Sequence, residues 1–246
     1  MLIKIISLKL LFNPDLESLQ PEDNLRASGE MFLFMIILSW IITFLFNPIA
    51  ISSNPALPTL GYYNLSVGYI SVAPSKYFSL LIGVFGLYFS LQYNRLDILR
   101  TKLTNTNTFS AKAKFSIFTN LVYIFSLSCV SVACFLNPLE YAWTIMFLFG
   151  QYVFSSTLVS ISNLLESEKP SISFRIIIYS KAVFSILFIA NLFFHFLNQG
   201  VARSAISMNL YPMLIDYIWT TLFFVESFFP IQSEVIKVKY SALFEA

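Results

Sequence analysis

Few side chains in this 246-residue sequence are able to do acid–base chemistry, and five of them lie in or beside long apolar runs. If such a run crosses a bilayer, an ionisable group within it costs several kcal/mol and is a functional hypothesis by default. Asp216 falls six residues into the last run, about 9 Å along a helix that rises 1.5 Å per residue. A carboxylate at that depth is an acid–base group or an interhelix anchor, unless the span starts later and leaves it at the interface. His195 lies near the end of the preceding run, and a short loop joins the two. His195 and Asp216 therefore reach similar depth on neighbouring helices. A carboxylate beside an imidazole is an acid–base pair, or a structural one; a His near the headgroups is also simply amphipathic. Glu140 opens the fourth run on the same side, where an early-helix carboxylate complements the helix dipole. Asp216, His195 and Glu140 are the catalytic candidates.

Lys181 and Glu226 form a second, separate expectation. Glu226 is ten residues from Asp216, about 15 Å along a helix, so the two carboxylates do not share a site. Lys181 lies about one and a half turns into the fifth run, from where its stem can snorkel to water. It also lies at a depth comparable to Glu226 on the adjacent helix. Pairing would neutralise two costly charges at once, as an intramembrane ion pair with a structural role.

The elements that must position these groups are helices. Hydrophobic residues make up 57% of the chain and charged residues 11%, too few to coat a water-soluble surface. A spanning helix needs about 20 apolar residues. Six stretches approach this, at Met31–Ile51, Tyr77–Tyr93, Phe115–Leu136, Tyr141–Leu164, Ile176–Leu197 and Leu210–Phe229. They are continuous rather than alternating, which favours helices over barrel strands. The fold expected is an all-α polytopic membrane protein, a bundle of six transmembrane helices with both termini inside. The fourth run carries Gln151, Ser155, Ser156, Thr157 and Ser160 and should face the bundle interior. Asn47-Pro48 and Asn137-Pro138 close two runs on one side of the membrane, the second as a tight hairpin.

Lys and Arg placement sets the orientation. Lys4, Lys9, Arg26, Arg95, Arg100, Lys102, Lys112, Lys114, Lys169, Arg175, Lys237 and Lys239 fall on one side, and only Lys76 and Arg203 on the other. Both termini are therefore expected in the cytoplasm. The organisation expected is a segment at 1–29 with a short amphipathic helix, a six-helix domain at 30–232 and a cytoplasmic tail at 233–246. Within the first segment, Asp15–Ala27 reads as a polar linker. Asn64-Leu65-Ser66 is a glycosylation sequon in the longest luminal loop, with Asn64 as acceptor.

No Gly-rich phosphate loop, GxSxG, HExxH or CxxC occurs, so no cofactor is expected. One His and two Cys in apolar segments do not make a metal site, and Cys129 and Cys134 read as buried thiols. There is no basic run for nucleic acid.

Several short strings resemble a known family. The first luminal loop reads Leu57-Pro58-Thr59 and then Ala73-Pro74-Ser75-Lys76-Tyr77, where the family has a Leu-Pro-Ser stretch followed by Pro-x-Arg-Tyr. Glu140 stands where the family is acidic, Gly150-Gln151 where it has Gly-His, and Leu214-Ile215-Asp216-Tyr217 is similar to its Leu-Glu-Tyr. These features, over about residues 30–240, resemble the six-span superfamily of the FGF-receptor-activating protein and the damage-regulated autophagy modulator. The nearest branch is the Golgi factor that remodels the lipid of GPI anchors after attachment to proteins. Two family histidines are absent, one replaced by Gln151 and one lying near Glu226-Ser227.

The resemblance implies handling of lipids, and GPI-anchor lipid remodelling in the Golgi or ER by acyl transfer to a lyso-GPI. Its partners would be membrane lipids and GPI-anchored proteins. Two alternatives stand beside it. Sister branches are non-enzymatic regulators of autophagy or lipid organisation, in lysosome or plasma membrane. The wealth of Phe, Ile, Tyr and Asn with only seven Gly also fits a small subunit of a large membrane assembly, such as a respiratory complex of the mitochondrial inner membrane.

Overall fold

The computed structural model describes residues 21–53, 65–104, 111–166, 170–197 and 210–226. These residues are helical apart from short turns, with no strand among them. The helices are α1 (Pro21–Phe46), α2 (Ile49–Ser52), α3 (Leu65–Ser71), α4 (Ala73–Thr104), α5 (Ala111–Ala133), α6 (Pro138–Glu166), α7 (Ile172–Leu197) and α8 (Leu210–Glu226). Four of the six long ones contain a stretch long and apolar enough to cross a membrane: Asp23–Phe46, Ala111–Ala133, Trp143–Leu165 and Ile172–Phe193. Of the helices outside that set, α4 is long but carries Arg95, Asp97, Arg100 and Lys102 in its second half, and the described part of α8 has 17 residues.

Successive long helices run antiparallel, each against the next. α1 packs most extensively on α4, α4 on α5, α5 on α6, α6 on α7 and α7 on α8, while α8 returns to touch α1 sparsely. One end of the bundle thus holds the start of α1 and the end of α8; it is called the terminal end here. The opposite, hairpin end holds the close of α1 and the α5–α6 turn. Asn47-Pro48 and Asn137-Pro138 both fall there, as the turn chemistry requires.

The core is aromatic. Phe32 of α1 stacks on Tyr152 of α6 with ring centroids 4.0 Å apart, and Trp219 stacks on Phe223 within α8 at 5.3 Å. α6 is the most enclosed of the four apolar helices, with 61% of its apolar window buried against 28% for α7. Ser155, Ser156, Thr157 and Ser160 are buried, so the polar stripe of this helix does face inward. Elsewhere Phe44, Leu121, Phe125, Ile176, Ile186 and Phe193 stand exposed, an apolar exterior that suits lipid and not water.

Two boundaries differ from the sequence expectation. α1 starts at Pro21, so residues 21–27 are not a polar linker. Proline is preorganised for a first helical turn, and Asn24, Ala27 and Ser28 are fully buried one turn later. α4 continues past Tyr93 to Thr104, which places Arg95, Arg100 and Lys102 on a helix and not in a loop. Asp97 holds that extension inside the bundle: it is buried and accepts a hydrogen bond of 3.0 Å from Ser116 of α5.

Candidate functional site

The catalytic candidates lie at the hairpin end. Glu140 is exposed and sits in a first turn cut off from the rest of α6, because Tyr141 leaves the helical region with φ −117° and ψ 21°. His195 is near the end of α7 and Asp216 in the first half of α8. These two helices pack antiparallel, which brings the two backbones to the same end; the side chains of His195 and Asp216 lie outside the described atoms. Asn64 also lies outside the described residues. Cys129 and Cys134 are free thiols, the second fully buried.

Lys181 and Glu226 do meet. Lys181 of α7 is completely buried, and its Nζ donates to Glu226 Oε2 of α8 at 2.7 Å. The same ammonium donates to Ser160 Oγ at 2.8 Å and Ser156 Oγ at 3.1 Å, both on α6. It lies 4.6 Å from the Phe223 ring centroid and 5.5 Å from that of Trp219. One cation thereby ties three helices together. Its stem does not snorkel to the surface, because partners are nearer than water.

Around this pair the terminal end carries a dense polar interior. A chain of hydroxyls crosses it, with Tyr152 to Tyr123 at 3.2 Å, Tyr123 to Ser28 at 3.2 Å and Ser28 to Ser90 at 2.7 Å. Ser90 donates to the Gly86 carbonyl at 2.9 Å. Each hydroxyl has one proton, so the direction is fixed: Ser28 donates to Ser90, Tyr123 to Ser28, and Tyr152 to Tyr123. Nearby, Tyr93 donates to Asn163 Oδ1 at 3.0 Å.

Between α1, α5, α6, α7 and α8 lies a half-open crevice, small as a cavity at about 50 Å³. Its polar lining is Arg26, Tyr123, Ser156, Ser160, Asn163, Lys181 and Glu226. Leu25, Leu33, Val159 and Phe223 supply an apolar wall, and Gly29 leaves room where a side chain would strike Phe223. By sequence Arg26 reads only as a loop charge, and Asn163 carries no separate assignment. The signal for Asn163 was present, because Ser156, Ser160 and Asn163 are spaced four and three residues apart and share one helix face. Nothing in the sequence placed Arg26 beside them, since that depends on the earlier start of α1.

Comparison of the chain with protein-family models, with curated proteins and with solved structures finds no match in any of the three.

Proposed function

We propose that this chain is a six-span membrane protein that handles a lipid, with GPI-anchor lipids of the secretory pathway as the substrate class that the sequence resemblance implies. The observation that carries lipid handling is the crevice at the terminal end. Fixed polar groups line one part of it and aliphatic and aromatic side chains another, within a bundle whose exterior is apolar. An amphiphile is the ligand chemistry such a lining fits, with few polar groups setting orientation and apolar walls supplying area. Under this reading His195 and Asp216, on adjoining helices at the hairpin end, remain the acid–base candidates for acyl transfer, with Glu140 beside them.

A second reading has its own observation. Lys181 spends all three of its N–H groups on Ser156, Ser160 and Glu226, which is what an interhelix anchor requires and what a regulator or assembly subunit would keep.

Gene disruption with a GPI-anchored reporter separates the two. Lipid remodelling predicts loss of the reporter from the surface, or a lyso or unremodelled anchor lipid. Asp216→Ala should then reproduce the defect with the protein still present in the membrane. Unchanged surface level and unchanged anchor lipid would remove GPI remodelling and leave the non-enzymatic reading, to be pursued by purifying the protein with its neighbours.

A further inference from the structure

The crevice has a chemical bias that follows from counting hydrogen-bond groups. All three ammonium protons of Lys181 are engaged, by Ser156, Ser160 and Glu226. Ser160 donates its own proton to the Ser156 carbonyl at 3.0 Å. Tyr123 is committed to the hydroxyl chain. Asn163, only 3% exposed, uses its carbonyl oxygen to accept from Tyr93, while its Nδ2 has no partner among the described residues. The buried Nε of Arg26 likewise has none. Leaving such groups unmade inside a bundle costs on the order of 1–3 kcal/mol each, and more for a charged one. Ser156 accepts from Lys181 and keeps its own proton, so among the described residues the donors still open are the Arg26 guanidinium, the Asn163 amide and the Ser156 hydroxyl; Lys181 and Glu226 cancel, so the crevice lining carries one net positive charge, from Arg26.

We infer that this crevice binds the phosphate headgroup of an anionic membrane lipid, with Arg26 and Asn163 as its headgroup ligands. A guanidinium presents paired donors that match phosphate oxygens, and an amide N–H adds a fixed direction. The acyl part fits the wall of Leu25, Leu33, Val159 and Phe223. The seam between α1 and α8 is the sparsest of the contacts that close the bundle, and Gly29 lies on it against Phe223. A lipid therefore reaches the crevice sideways from the bilayer through that seam. The inference rests on the reading of the chain as a lipid-handling bundle, but not on any GPI substrate or on the catalytic candidates.

The test uses the full-length protein in nanodiscs of phosphatidylcholine and a fluorescent-tailed phosphatidic acid as probe, competed with unlabelled phosphatidic acid, phosphatidylcholine or inorganic phosphate. Unlabelled phosphatidic acid should displace the probe, and phosphatidylcholine should not. Arg26→Gln should weaken binding about tenfold or more, as loss of a charge-assisted hydrogen bond does. Asn163→Asp should weaken it similarly: it keeps the acceptor for Tyr93 but puts a negative charge where the donor was. Ser128→Ala, whose hydroxyl among the described residues bonds the Ile124 carbonyl of its own helix, should bind as the wild type does. Equal displacement of the wild-type protein's probe by phosphatidylcholine would overturn the inference, and that comparison needs no variant to fold. Displacement by inorganic phosphate at the same concentration as by phosphatidic acid would show a free-phosphate site and also overturn it. Unaltered binding by both variants would remove Arg26 and Asn163 from the site. A normal GPI reporter alongside selective phosphatidic acid binding would sink the GPI reading and leave this one standing.

Discussion

Lys181 shows how a residue that the sequence marks as costly becomes affordable in place. Burying a lone ammonium is prohibitive, and a buried pair breaks even only when every remaining proton is satisfied. Here the carboxylate and two serine hydroxyls satisfy all three, and two aromatic rings lie beside the cation. Removing one partner is then worse than removing both. Lys181→Met should destabilise the bundle by about 3 kcal/mol, the lower end of the range for an orphaned buried charge, because the Glu226 side chain keeps 15% of its exposure. The double variant Lys181→Met/Glu226→Leu should recover most of that loss. Unfolding in mixed micelles with increasing dodecyl sulfate measures all three proteins. Additive losses would mean that the two charges are not coupled. The pairing was legible in the sequence because both residues interrupt apolar runs at matching depth. The serines beneath Lys181 were legible only as a polar stripe on the fourth run, since nothing in a single run states which neighbour that stripe will face.

At the level of helices, close approach decides the geometry. Gly83 of α4 faces Ser131 of α5, where an added Cβ would collide with the Ser131 side chain. Small residues at such a point let two backbones approach, the main source of helix association where lipid tails remove the hydrophobic drive. Gly83→Ala should therefore cost about 1–3 kcal/mol in the same unfolding measurement. Gly83→Ala/Ser131→Gly should restore part of it by removing the opposing Cβ. A single change that left stability intact would show that α4 and α5 shift apart without loss. Helix existence was well read from apolar runs, and the Asn-Pro turns were read from their local sterics. Helix ends were read less well where polar residues are buried inside. Residues 21–27 and 94–104 look like loops by hydropathy, yet Asn24 and Asp97 are buried. A hydropathy window registers the cost of a polar side chain but not the hydrogen bond that offsets it, such as Ser116 to Asp97. The terminal-end crevice was hidden in part because Leu25 and Arg26 of its lining lie in the first of those extensions.

For the molecule as a whole, the architecture sets a sharp test of which helices cross the bilayer. α4 and α8 fall outside the four strongly apolar helices, but α4 lies antiparallel along α1 and α5, and α8 along α7. A helix packed lengthwise between spanning neighbours occupies the same slab of membrane. The 32 residues of α4 extend about 48 Å at 1.5 Å per residue, enough to cross a hydrocarbon core of about 30 Å and carry its charged end into the headgroups beyond. α8 reaches about 26 Å over its 17 residues, nearly a full crossing. Six crossings with both termini in the cytoplasm put residues 198–209 in the lumen and residues 105–110 in the cytoplasm. Four crossings, through α1, α5, α6 and α7 alone, reverse both. Glycosylation acceptor sites placed singly in each segment, with a third at the C-terminus to fix the overall orientation, distinguish the cases. Modification at 198–209 with none at 105–110 or the C-terminus is the expected pattern. Modification at 105–110 with none at 198–209 or the C-terminus would leave four spans and put α4 and α8 against the membrane surface, and the lateral route between α1 and α8 would then open to water rather than to lipid.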